Sequence, residues 1–210
     1  MPHRNRVTPY GQIVVIPERG TLMGNRGVIH AADGSHKREW QVRRWIACRL
    51  EFKGRRRAIR RPRRWTELFF LDEATALAAG HRPCAECRRE DYRRWQAAWP
   101  EPDTSADAMD LVLHADRLDD RAKRTFTASL AQLPDGVLVT RGAAAAGHGA
   151  PASAGAALLL WRGALRPWSP AGYGPPEPAR AVERVTVLTP RATVATIAGG
   201  YAVSAHPSAA

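Results

Sequence analysis

The chain has 210 residues, 44% hydrophobic and 25% charged, with 32 Lys and Arg against 20 Asp and Glu and a net charge of +12. This composition is typical of a folded domain and argues against global disorder, and no stretch approaches the roughly 18 to 20 apolar residues of a membrane span. The N-terminus also lacks a secretory signal pattern, so we expect a soluble cytoplasmic protein with no membrane partner, in which three cysteines indicate metal or thiol chemistry.

The first hundred residues combine short strands with two helices. Asp72 is a good N-cap, the residues after it are rich in alanine, and Gly80 suits the C-terminal end, so a short helix is predicted between them. A second helix over 88–99 carries Tyr92, Trp95 and Trp99 at helical spacing, which indicates core packing. Strands are predicted at 13–16, 45–52 and 65–71.

A Pro, Asp and Ser stretch at 100–108 predicts a boundary between a lobe of residues 1–100 and a lobe of residues 101–210. In the second lobe, apolar residues spaced by four predict a helix over 118–130, and further strands and a terminal helix follow. The Ala/Gly segment 143–155 is predicted to be a flexible loop. The predicted fold class is therefore α+β in both lobes.

The basic residues are concentrated in one segment. Between Lys37 and Arg64 there are 13 basic residues and two acidic ones, a local net charge of +11. Such a block favours a polyanion, because Lys and Arg neutralise phosphates and release counterions. Lys123 and Arg124 form a second, smaller patch. The predicted nucleic-acid contacts are Arg43, Arg44, Arg55, Arg56, Arg57, Arg60, Arg61, Arg63 and Arg64.

A Cys-x-x-Cys pair, Cys84 and Cys87, is the most specific motif of the chain. On a tight turn it presents two sulfurs and lets backbone N–H groups point at them, which suits tetrahedral zinc. Cys48 lies upstream as a third thiolate ligand. A redox dithiol is the alternative, but the thioredoxin context of strand and helix is missing. Arg82 and Arg88 flank the pair and are expected to offset part of the thiolate charge.

The residues Glu67-Leu68-Phe69-Phe70, a short Ala-rich helix and Gly80-His81-Arg82-Pro83-Cys84-Ala85-Glu86-Cys87-Arg88 resemble the metal-binding domain of the Ada family of methylation-repair proteins. The resemblance covers about residues 45–90. It implies zinc on Cys84 and Cys87, an upstream pair of cysteines near Cys48, and DNA rather than RNA as the partner. It also implies that a zinc-bound thiolate, here Cys48, accepts a methyl group from a DNA phosphotriester.

This chain departs from the Ada pattern because it has no second upstream cysteine. The fourth zinc ligand must then be a histidine, a carboxylate or water. His30, which ends a strand before a turn, is the predicted ligand. His81 is the alternative, although it falls where the family has an aromatic residue that packs. His36, beside the basic segment, is a third candidate.

Three functions follow as hypotheses. The first is a nucleic-acid-binding protein in which zinc is mainly structural. The second is an enzyme acting on DNA, either a methyl acceptor through Cys48 or a metal-dependent hydrolase with Glu67 or His114 as general base. The third is a protein-interaction adaptor that uses the loop 168–176.

Overall fold

The computed structural model describes residues 3–54, 64–120, 122–141, 155–180 and 182–210. Within these residues it contains both helices and antiparallel-rich sheets, so the predicted α+β class is confirmed. No helix among them is both long enough and apolar enough to cross a lipid bilayer. The predicted flexible loop at 143–155 lies, apart from residue 155, outside the described residues.

The first sheet is formed from residues 4–83, with described strands in the order β2-β1-β5-β3-β4-β6. Two of its neighbour pairs are parallel, β1 with β5 and β4 with β6, and the others are antiparallel. Its strands are β1 (Arg4–Val7), β2 (Ile13–Val15), β3 (Leu22–Asn25), β4 (Ile46–Arg49), β5 (Leu68–Phe70) and β6 (Arg82–Pro83).

The second sheet is formed after residue 125 and has the order β13-β12-β11-β10-β15-β9, with β14 beside β12. A separate hairpin precedes it, made of β7 (Leu118–Asp119) and β8 (Ala122–Lys123). The strands of the second sheet are β9 (Phe126–Ser129), β10 (Leu138–Thr140), β11 (Leu158–Trp161), β12 (Ala164–Ser169), β13 (Gly172–Tyr173), β14 (Glu177–Pro178) and β15 (Arg184–Val187).

The described helices lie between and after these strands. They are α1 (Glu73–Ala78), α2 (Arg89–Ala98), α3 (Ala106–Arg117) and α4 (Arg191–Ala198), with short 3-10 turns at Leu130–Gln132 and Pro207–Ala209. The predicted helices after Asp72 and over 88–99 are confirmed, and Tyr92, Trp95 and Trp99 are buried as expected. Gly80 follows α1 with φ +86°, a conformation that favours glycine at a helix end.

The helix predicted over 118–130 is wrong. Helix α3 ends at Arg117, and the chain then forms the hairpin β7–β8, whose turn residue Asp120 has φ +54°. Beyond it, β9 pairs antiparallel with β15, Phe126 opposite Val187 and Ser129 opposite Arg184. Pairing with a strand almost sixty residues later therefore overrides the local spacing of apolar residues by four.

Helix α1 lies where the cores of both halves meet. Its six residues are all buried, and half of them are alanine. Ala76 packs with the first sheet, whereas Ala74 and Ala78 pack with Leu138, Leu159 and other residues of the second sheet. The two sheets fall on either side of the predicted boundary at residue 100, but the hydrophobic core crosses that boundary.

The Asp72 carboxylate joins the start of α1 to the C-terminal part of the chain. Its Oδ1 accepts hydrogen bonds from Thr75 N at 2.9 Å and Thr75 Oγ1 at 2.7 Å, as an N-cap does. Its Oδ2 accepts from Tyr173 OH and His206 N, both at 2.9 Å. The carboxylate is 2% exposed, so these four donors replace water.

Replacing Asp72 with alanine should destabilise the protein far more than loss of an ordinary cap. It leaves buried donors from two parts of the chain unsatisfied, so we expect the free energy of unfolding to fall by about 3 kcal/mol or more. The matched control is Ser105→Ala at the N-cap of α3, which should cost about 1 kcal/mol. Urea unfolding at fixed zinc concentration measures both, and equal losses would contradict the role given to Asp72.

Candidate metal centre

Three cysteine sulfurs come together at one edge of the first sheet. Cys48 lies on β4, Cys84 directly follows β6, and Cys87 is three residues later; their ligand atoms all lie within 4.8 Å of one another. Three sulfurs on a tetrahedral zinc, with Zn–S of about 2.3 Å, are separated by about 3.8 Å. The group thus fits a metal ion, and the donor chemistry of three thiolates favours a thiophilic one.

Strand pairing explains how residues 36 positions apart meet. Strand β6 runs parallel to β4, with Pro83 opposite Ala47, and Cys84 N donates to Ala47 O at 3.0 Å. Side chains alternate between the two faces of the sheet along each strand. Cys48 follows Ala47 and Cys84 follows Pro83, so both cysteines face the same side of the sheet. Met23 of β3, opposite Cys48, packs against the same group.

The turn between Cys84 and Cys87 directs backbone N–H groups at sulfur, as the sequence predicts. The amides of Glu86 and Cys87 favour the Cys84 thiolate, and the amide of Arg49 favours that of Cys87. Hydrogen bonds from the Cys48 and Cys87 thiols lower the pKa of Cys84 well below its ordinary value, and the contact with Cys84 raises the pKa of Cys48. A hydrogen bond from Cys48 favours the Cys87 thiolate, but the contact with Cys84 raises the pKa of Cys87 overall. Cys84 is therefore the cysteine that is arranged to hold negative charge before any metal binds.

The two arginines flanking the pair have structural partners, which corrects the expectation that they offset thiolate charge. Arg88 Nη2 donates to Glu73 Oε1 at 2.5 Å and its Nε to Asp91 at 2.7 Å. Arg82 forms a bidentate pair with Asp110 of α3, at 2.9 and 2.7 Å. Burial alone would lower the pKa of Arg88, but the Glu73 carboxylate holds it above its ordinary value. Both arginines thus anchor the cysteine turn to its neighbours.

The cysteine group forms one wall of a surface cavity of about 170 Å³. Each of the three cysteines is only 8–9% exposed, so the cavity is the route by which a ligand reaches the sulfurs. The other lining residues are Met23, Asn25, Ile46, Arg49, Leu50, Phe52, Trp65 and Glu86. A metal held by three thiolates would therefore face solvent on this side, which is typical of a centre with an exchangeable fourth position.

The structure does not bring the predicted histidines to the cysteines. The ligand group among the described residues contains neither His30, His81 nor His36. His30 is 3% exposed and its Nδ1 lies 2.5 Å from Thr66 Oγ1. His81 packs between Phe70 and Trp45, with ring centroids at 4.6 and 5.2 Å, and so occupies an aromatic packing position.

Burial, with Arg26 and Arg117 nearby, lowers the pKa of His81 well below its ordinary value, so the ring stays neutral. Its Nε2 accepts from Arg26 Nε at 3.4 Å. His36 pairs with His30 through a β-bridge and lines a different cavity, beside Trp40 and Lys37. Residues 55–63, which are not described, contain no His, Cys, Asp or Glu and so offer no fourth ligand of these types.

The predicted nucleic-acid contacts are only partly placed by the structure. Arg43, Arg44 and Arg64 are exposed. Arg43 and Arg44 line a second cavity, next to the cavity of the three cysteines. Arg44 is paired with Asp107 at 3.1 Å and lies 3.7 Å from Asp110. The other predicted contacts, Arg55, Arg56, Arg57, Arg60, Arg61 and Arg63, lie outside the described residues.

Sequence reasoning missed the residues that shape the cavity. Glu86 lies between the paired cysteines in the sequence, and this position could have indicated that it lines the same cavity as the sulfurs. Phe52 and Trp65 flank the basic segment in the chain, which places both of its ends at the cavity. Asn25, on β3, reaches the cavity only because β3 pairs with β4, a contact that no local pattern indicates.

Comparisons with known protein families, with curated proteins and with solved structures find no match to this chain.

Within the described residues no histidine or carboxylate joins the three cysteines, so we expect the cysteines to suffice as protein ligands. The purified chain should bind one zinc ion, Cys84→Ser should lose it, and His30→Ala should keep it, because His30 is hydrogen-bonded elsewhere. Since thiols must lose protons to bind metal, zinc affinity should fall as pH is lowered. Native mass spectrometry with metal analysis measures each case. Loss of zinc from folded His30→Ala would instead identify His30 as the fourth ligand.

Proposed function

We propose that this chain is a zinc protein that binds nucleic acid, DNA in preference to RNA, on the face around the three-cysteine group. The observation that carries the proposal is the cysteine group itself, open to a cavity whose walls are connected to the basic segment. Zinc would hold β4, β6 and the cysteine turn together beneath that face. The preference for DNA follows from the resemblance to the Ada metal-binding domain.

Chain connectivity supports the placement of the basic segment. Phe52 and Trp65 both line the cavity, so the residues between them begin and end beside the cysteines. Residues 53–64 include eight basic residues and no acidic one. Arg49, exposed at the cavity wall, adds a further positive charge next to the sulfurs. Phosphates would therefore find their strongest attraction at the rim of this cavity.

Arg44 contributes less to this face than the sequence suggests. Its guanidinium is paired with Asp107, and the carboxylate of Asp110 is close by. Both acidic residues belong to α3, which borders the neighbouring cavity. A phosphate at Arg44 would have to compete with these carboxylates, whereas the described part of the cysteine cavity has only Glu86 as an acidic side chain.

Electrostatic binding should give a measurable salt dependence. For a DNA duplex, the logarithm of the binding constant should fall linearly with the logarithm of salt concentration, and Arg49→Gln should reduce the slope by about one unit. The matched control is Arg184→Gln, an exposed arginine of the second sheet, which should leave the slope unchanged. Fluorescence anisotropy at several salt concentrations measures both. Equal slopes for the two variants would reject this face as the binding surface.

Methyl transfer to Cys48 is the second candidate function, and the access of the cavity to the sulfurs favours it. A thiolate sulfur would attack the methyl carbon of a phosphotriester; the S–C bond forms, the C–O bond breaks, and the phosphodiester leaves with the electron pair. A methyl phosphotriester carries no charge, so Glu86 and the thiolates do not repel it. Three thiolates carry less negative charge than four, which weakens the nucleophile and makes this the lesser candidate.

A direct test exposes the zinc-loaded protein to a DNA oligonucleotide with one methyl phosphotriester. If Cys48 is an acceptor, peptide mass spectrometry should find a stoichiometric gain of one methyl group on that residue, and Cys48→Ser should show none. An unmodified oligonucleotide is the control. Methylation of Cys84 or Cys87 alone would assign the acceptor role to another sulfur. An unchanged mass would reject methyl transfer and leave zinc with a structural role only.

The remaining hypotheses gain less from the geometry. Neither predicted general base lines the cysteine cavity: Glu67 is 4% exposed next to β5, and His114 packs edge-on against Trp40. Two residues of the loop 168–176, predicted as an adaptor surface, contact the rest of the fold. Trp168 Nε1 donates to Thr75 Oγ1 at 3.1 Å and Tyr173 is buried. These contacts hold part of the loop against α1, while Ser169, Ala171, Pro175 and Pro176 are exposed.

A further inference from the structure

The cavity beside the cysteines has the size of a single small group. Its volume, about 170 Å³, is the room of about six water molecules. Apolar and aromatic side chains form about half of the wall, and a few polar groups converge on the same space, a combination that is common in ligand sites. Met23, Ile46, Phe52 and Trp65 supply the apolar wall, and Asn25 and Glu86 supply polar groups.

Positive charge lies at the edge, or rim, of this cavity. The exposed side chain of Arg49 lines it, and the exposed Lys53 and Arg64 are the chain neighbours of the wall residues Phe52 and Trp65. The carboxylate of Glu86 belongs to the same lining as the three sulfurs. A phosphate would therefore be attracted by the cations of the rim, whereas an uncharged planar ring can approach the sulfurs.

The aromatic side chains give such a ring a stacking partner. Phe52 and Trp65 are half-buried at the cavity, and the Lys53 ammonium lies 5.2 Å from the centre of the Phe52 ring. Aromatic walls combined with a cationic rim are the features by which proteins bind single-stranded nucleic acid, because every base has a face that can stack. A base that is paired and stacked inside a duplex cannot present its face to a cavity of this kind.

The cavity also continues into a path for neighbouring nucleotides. Asn25, Ile46 and Trp65 line both the cysteine cavity and a larger one of about 1060 Å³ next to the first turn of α3. That second cavity carries Arg43 on its wall, an exposed arginine that forms no ion pair with a carboxylate among the described residues. A chain of nucleotides could therefore run along the shared wall with one base turned toward the cysteines.

We infer that the cavity beside the three cysteines binds one unstacked base of a single-stranded nucleic acid, with Trp65 as its stacking partner and the basic rim holding the flanking phosphates. This inference deepens the proposed function and depends on it. Single strands should accordingly bind more tightly than duplexes of the same sequence and length.

The test compares a labelled ten-residue oligothymidylate with its duplex with oligodeoxyadenylate, both bound to the zinc-loaded full chain. We expect Trp65→Ala to weaken single-strand binding by about tenfold or more, as loss of one stacked base does, with zinc retained and a smaller loss of duplex binding. Trp65→Phe should restore most of the affinity. The matched control is Trp161→Ala, a half-buried tryptophan of the second sheet, which should change neither complex.

The possible outcomes distinguish failure of the base site from failure of the proposed nucleic-acid binding. Equal affinity for single strand and duplex, or no effect of Trp65→Ala on the single strand, overturns the base site and leaves nucleic-acid binding intact. Binding of neither probe at low salt overturns both. If Trp65→Ala loses zinc, Phe52→Ala provides the second reading on the same cavity, and its failure to weaken single-strand binding would likewise reject the inference.

Discussion

Two adjacent buried carboxylates at the start of α1 hold the rest of the structure in place. Glu73 accepts from Arg88 Nη2, from Tyr201 OH at 2.6 Å and from Ser204 N at 2.9 Å, while Asp72 reaches Tyr173 and His206. A buried carboxylate is stable only when its oxygens are fully hydrogen-bonded. The first helix, the residue after Cys87 and the C-terminal segment are therefore fixed together, so the second half of the chain helps to position the three-cysteine group.

The parallel pairing of β4 and β6 assembles the three-cysteine group. It converts a separation of 36 residues into a contact between sulfurs, and Arg82 secures β6 to α3 through Asp110. Cys48 thus lies on a strand, and Cys84 and Cys87 lie on a turn whose two ends are held by the ion pairs of Arg82 and Arg88. A group held in this way has less freedom to rearrange, which favours one metal geometry and one open direction, toward the cavity.

Features that depend on neighbouring residues could be predicted from the sequence, whereas features that depend on pairing between distant strands could not. The cap at Asp72, the Ala-rich helix and the Cys84–Cys87 turn depend on neighbouring residues, so the sequence indicated them correctly. The meeting of Cys48 with that turn depends on strand pairing and was reached through a family resemblance. Strand β9 was mistaken for a helix because its partner β15 lies far along the chain. The cavity required the whole first sheet, so Asn25 gave no signal in the sequence.

The sharing of α1 between both sheets also limits how this three-cysteine group could have spread during evolution. A zinc module with a private core can be transferred between genes as a unit and fold wherever it is inserted. Here the helix that precedes the cysteine turn is covered by Leu138 and Leu159 of the other half. The carboxylates of Asp72 and Glu73 accept hydrogen bonds from residues beyond 170. Recombination near residue 100 would expose that helix, so the two halves are expected to be inherited together.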